Sequence, residues 1–77
     1  MAVTKTHGER QQAARLRAAN AYDTAARTHE RAAVLELAAA ELFERCGNSE
    51  AAQRHLQAAD RQVELAEADH HRASRGF

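Results

Sequence analysis

Ala39-Ala40-Glu41-Leu42-Phe43-Glu44-Arg45-Cys46-Gly47-Asn48-Ser49-Glu50-Ala51-Ala52 decides the fold, because within it one helical pattern ends, turns and begins again. Gly47 suits the left-handed position that closes many helices, Asn48 or Ser49 can cap the next helix, and Glu50 suits its positive N-terminus. The Ala-Ala pairs on either side belong to a repeat that runs outward in both directions. Ala18-Ala19, Ala25-Ala26, Ala32-Ala33 and Ala39-Ala40 recur every seven residues before the turn, and Ala51-Ala52 and Ala58-Ala59 do so after it. A heptad keeps one stripe facing a partner helix only if the two supercoil, and alanine lets their backbones approach closely. The pattern predicts an all-α fold, an antiparallel helical hairpin with Ala-rich heptad seams.

Further from the turn, Thr6-His7-Gly8-Glu9 reads as a capping box, so helix 1 is expected over about residues 7–46, with residues 1–5 frayed. Neither proline nor glycine occurs from Glu9 to Cys46, and Asp23/Arg27 and Glu41/Arg45 stand at the favourable i,i+4 spacing. Asn20 to Thr24 is the one weak stretch, made of mediocre helix formers where a break could occur; continuity is the expectation. Helix 2 is expected over about residues 49–74, with Gly76 marking its stop. At ~1.5 Å per residue the helices would be ~57 Å and ~38 Å long, so the N-terminal third of helix 1 overhangs. The whole chain, 1–77, is then a single domain.

A chain of 77 residues is at the size where one core is marginal and oligomerisation is common. No proline and only three glycines leave a helix-forming composition. Cys46 is the only cysteine, and Met1 to Arg10 lacks the apolar segment of a signal peptide, so a cytoplasmic setting is expected. Ten Arg against one Lys, with so much alanine, reflects a GC-rich, bacterial genome. A membrane span is not expected: the longest apolar candidate, Ala32 to Phe43, is interrupted by Glu36 and Glu41. Net charge is zero, although residues 1–31 carry six Lys/Arg against three Asp/Glu, and residues 32–77 carry five against eight. That balance argues against a dedicated nucleic-acid binder.

Helix 1 carries two adjacent seams. One runs Ala14, Ala18, Ala21, Ala25, Thr28, Ala32, Leu35, Ala39, Leu42, Cys46; the other runs Ala19, Tyr22, Ala26, His29, Ala33, Leu37, Ala40, Phe43. Helix 2 offers one, Ala52, Leu56, Ala59, Val63, Ala66, His70, Ala73, with Leu65 beside it. One helix cannot cover two seams, and Ala32 to Ala40 is apolar over most of its circumference. The economical answer is a homodimer closing a four-helix bundle, centred on residues 28–43. The expected interface is Tyr22, Ala25, Thr28, His29, Ala32, Leu35, Leu37, Ala39, Leu42 and Phe43 of helix 1 with Leu56 and Val63 of helix 2. The rival answer is a different protein partner.

Around the turn, Ala40 and Phe43, then Gly47, then Ala52, Leu56 and Ala59 follow a small, aromatic, turn, small, large, small order. This run of about 20 residues resembles the junction of a tetratricopeptide-repeat hairpin. The resemblance implies a hairpin of similar geometry and a bias toward protein interaction. Glu36 departs from the family's large aromatic, no proline ends the unit, and the chain lacks room for ~3 repeats of ~34 residues.

Several residues invite chemical readings. His29 and His70 lie on apolar seams about one turn apart in a folded hairpin, and Glu67-Ala68-Asp69-His70 has the Glu-x-x-His spacing of helix-bundle metal centres. His29, Glu67 and His70 are therefore the alternative, metal-binding reading; the simpler one has the histidines filling semi-polar seam positions, with no metal or cofactor. His7, His55 and His71 read as solvent-facing. Cys46, at the negative end of helix 1, is disfavoured as a thiolate and reads as core filler, with an intermolecular disulfide as the alternative. Tyr22 is expected to pack in the interface with its hydroxyl near the edge. Asp60, Glu64, Glu67 and Asp69 form an acidic stripe on helix 2 that reads as solvated, or as a mate for the arginines of another copy's helix 1. Nothing supplies a nucleophile with an adjacent base in a cleft, so no enzyme is expected.

Overall fold

The computed structural model describes residues 6–75, folded as two helices, α1 (His7–Arg45) and α2 (Ser49–Arg75), packed against each other as a hairpin. The expected fraying of residues 1–5 and the stop at Gly76 lie outside the described residues. Thr6 caps α1 in an extended conformation, its Oγ1 accepting the Glu9 backbone N–H at 3.2 Å. The helix runs unbroken through Asn20 to Thr24, where Thr28 Oγ1 donates back to the Thr24 carbonyl at 3.1 Å. The two i,i+4 pairs form, Arg27–Asp23 at 3.0 Å and Arg45–Glu41 at 3.5 Å.

The turn is a Schellman closure. Asn48 N–H donates to the Phe43 carbonyl at 2.8 Å and Gly47 N–H to that of Glu44 at 3.1 Å. Gly47 has φ 76°, and a Cβ there would meet nothing within 4 Å. Its requirement for glycine is therefore torsional, on the order of 1–2 kcal/mol for any other L-residue. Of the two residues able to cap α2, Asn48 is the one that does so, its Oδ1 accepting the Ala51 N–H at 3.1 Å.

The helices meet through alanine. Ala19, Ala26, Ala33 and Ala40 of α1 and Ala52, Ala59, Ala66 and Ala73 of α2 are buried, in each case the second alanine of a pair where there is one. Ala51 joins them, and among the described residues no large side chain is fully buried. Residues 7–18 are exposed apart from half-buried Ala13, so α1 overhangs as its length implied. The result is a rod with extents of 68 × 23 × 11 Å and a radius of gyration of 19.0 Å, against about 11.5 Å for a compact domain of this length. Among the described residues no helix is long and apolar enough to cross a membrane.

Candidate functional site

Three residues after Ala19, Ala26, Ala33 and Ala40 of α1 and after Ala52, Ala59 and Ala66 of α2 stands a second column, Tyr22, His29, Glu36 and Phe43 on α1 and His55, Gln62 and Asp69 on α2. It is polar or aromatic throughout, and its members pair across the helices. His55 donates from Nδ1 to Glu36 Oε2 at 2.6 Å and stacks on Phe43, with ring centroids 5.2 Å apart and planes 9° from parallel. His29 donates from Nδ1 to Gln62 Oε1 at 2.6 Å, while its Nε2 faces Asp69 Oδ2 at 3.6 Å. Asp69, the one buried charged residue among those described, also accepts from Arg72 Nη1 at 3.2 Å, and the Arg72 guanidinium lies 5.8 Å from the centre of the Tyr22 ring. Tyr22 thus packs at the edge of the hairpin's own interface. Along one edge His70 Nε2 donates to Glu30, with Asp23 3.9 Å from its Nδ1.

These pairs do what alanine cannot. A seven-residue slip of α2 along α1 would keep alanine on alanine, but it would separate Glu36 from His55 and His29 from Asp69. The three-residue turn already sets the register, and these part-buried pairs reinforce it, because the polar atoms they draw from water find partners only there. Among the described residues no buried side-chain polar atom lacks a partner.

The inner columns correct several expectations. Glu36 occupies the position assigned to Leu37, and His55, Gln62 and Asp69 occupy those assigned to Leu56, Val63 and His70; the three aliphatic residues are instead exposed along one edge. Leu37 and Leu56 line a shallow groove there with Ala40, Glu41, Glu44 and Ala52. The physical reason is the close alanine contact, which leaves no depth between the backbones for leucine but lets longer polar side chains pair along the flank. His55 is accordingly not solvent-facing, Asp69 leaves the acidic stripe, and Cys46 is exposed rather than core filler.

The other seam of α1 lies one residue before the inner one, about 100° around the helix, and α2 covers it only along its alanine row. Ala25, Ala32 and Ala39 are half-buried, while Thr28, Leu35 and Leu42 are exposed, Leu35 to 69% and Leu42 to 58%, with Val34 beside them at 63%. Of the expected interface residues, then, Tyr22, His29 and Phe43 serve the hairpin itself. Leu37, Leu56 and Val63 line one edge, and Ala25, Thr28, Ala32, Leu35, Ala39 and Leu42 form a continuous stripe, half-buried at its alanines and uncovered at Thr28, Leu35 and Leu42.

The residues of the metal-binding reading are not brought together. His29 stands in the inner column, His70 is held on the edge by Glu30, and Glu67 is exposed. Among the described residues no group of three or more His, Cys, Asp or Glu is placed to hold a metal ion. No family model, curated protein or solved structure matches the chain. Of the positions that resemble a tetratricopeptide hairpin, Ala40, Ala52 and Ala59 are buried and Phe43 packs on His55, whereas Leu56 is exposed and Glu36 binds His55.

Proposed function

We propose that this chain is a small structural or protein-interaction module, without catalysis, that self-associates through the outer Ala-rich seam of α1 into a dimeric four-helix bundle. The observation that carries the reading is that the two leucines of that seam, Leu35 and Leu42, are 69% and 58% exposed while alanine fills the inside. An inside of alanine removes little apolar surface from water, and apolar burial is the main driving force of folding. The hairpin exposes 6055 Å², against about 4,650 Å² for a compact monomer of 8.5 kDa. The excess, about 1,400 Å², exceeds the roughly 800 Å² that each partner contributes to a standard interface. The two seams of α1, about 100° apart, also suit a helix at the corner of a four-helix bundle, which meets two neighbours nearly at right angles. The tetratricopeptide-like turn points toward protein interaction as well, and the single unpaired cysteine accords with a cytoplasmic protein.

Sedimentation equilibrium across the micromolar range tests this reading. The expected species has twice the 8.5 kDa chain mass, with far-UV circular dichroism showing the helices and a melting temperature that rises with concentration. A monomer that is fully helical and melts cooperatively at tens of micromolar would overturn it.

A further inference from the structure

We infer that the two copies lie antiparallel, α1 against α1, in the register that sets Ala14 of one copy opposite Cys46 of the other. This rests on the self-association proposed above and specifies how the partner is seated. The outer seam is lopsided: between Ala14 and Ala25 it holds only alanine, whereas Leu35, Leu42 and Cys46 stand in its other half. Its positions alternate by threes and fours, Ala14, Ala21, Thr28, Leu35, Leu42 in one row and Ala18, Ala25, Ala32, Ala39, Cys46 in the other. In an antiparallel pair the two rows oppose each other layer by layer. The register that covers every position places Ala14 on Cys46, Ala18 on Leu42, Ala21 on Ala39, Ala25 on Leu35 and Thr28 on Ala32, each twice about the dyad.

Every leucine then meets an alanine, so no layer holds two leucines and layer volumes vary less than in a parallel pair. A parallel pair would set Leu35 on Leu35 and Leu42 on Leu42. Those layers would hold the helices apart and leave voids between the alanines, which close-packed interiors do not tolerate.

Charge favours the same direction. The turn end, residues 36–54, carries Glu36, Glu41, Glu44 and Glu50 against Arg45 and Arg54, while the open end carries Arg10, Arg15, Arg17, Arg72 and Arg75 against Glu9. Antiparallel pairing lays the acidic end of each copy beside the basic end of the other; parallel pairing sets like on like. Arg31 comes beside its own copy at the dyad and Arg17 beside the other copy's Arg45, where long stems let the guanidinium groups reach water, so the charge preference rests on the two ends as wholes.

Thiol cross-linking after subunit exchange reads the arrangement. In the antiparallel dimer the two Cys46 residues lie 32 residues apart along the pair, about 48 Å, far beyond the ~7 Å Cα limit for a disulfide. Wild type alone and Ala14→Cys in a Cys46→Ala background alone are expected to give no covalent dimer under mild oxidation. An equimolar mixture is expected to give one whose cross-linked peptides join positions 14 and 46. Covalent dimer from each protein alone would establish the parallel pair and overturn the inference. No cross-link in any sample, with sedimentation still showing a dimer, would also overturn it while leaving self-association intact; a monomer in sedimentation would remove both.

Discussion

Replacing Leu35 by alanine separates the inside of the hairpin from its outer seam by energy. Full burial of a leucine side chain stabilises by about 1.5–3 kcal/mol. Leu35 is 69% exposed in the hairpin, so about 1–2 kcal/mol remains to be gained when a second copy covers it. Leu35→Ala removes most of that in each of two copies, about 2–4 kcal/mol per dimer, which weakens Kd by about 30- to 1,000-fold. The helix itself is indifferent, because alanine and leucine are the two strongest helix formers. Sedimentation equilibrium gives Kd and far-UV circular dichroism at high concentration gives the helix content. Leu16→Ala is the matched control, since Leu16 is also exposed but stands off the outer seam. A loss in Leu35→Ala of less than about threefold, or one equal to that of Leu16→Ala, would refute the reasoning.

Two further outcomes probe the inside of the hairpin. Ala26 has no exposed surface, so Ala26→Leu forces the helices apart and costs about 1–3 kcal/mol, lowering the melting temperature by roughly 4–8 °C per kcal/mol in a domain of this size; Ala38→Leu, on the exposed side, leaves it unchanged, and equal melting of the two variants would contradict the alanine contact. Glu36→Gln and His55→Ala, alone and combined in a double-mutant cycle followed by urea unfolding, are expected to show a coupling of about 0.5–1 kcal/mol; losses that add within about 0.3 kcal/mol would mean that the 2.6 Å contact contributes nothing to stability.

Local physics made much of the fold legible in the chain. Thr6 with Glu9, Gly47 with Asn48, and the absence of proline fix where helices begin and end, because caps and left-handed turns are satisfied by neighbours in sequence. The alanine heptad likewise announced a close helix pair and, on α1, a second seam that one α2 cannot cover. What it did not settle was which seam meets α2, because alanine stands in both. Nor did it identify the inner column, because leucine looks like the better occupant until the distance between the backbones is known. That distance is a tertiary quantity. Set by alanine on alanine, it turns Leu37, Leu56 and Val63 outward to the edge and draws in Glu36, His55, Gln62 and Asp69, residues that hydropathy assigns to water and that only partners 19 to 40 positions away in the chain make stable inside. The uncovered stripe was thus written in the sequence as a surplus of apolar positions, and the packing of α1 on α2 decided which residues compose it.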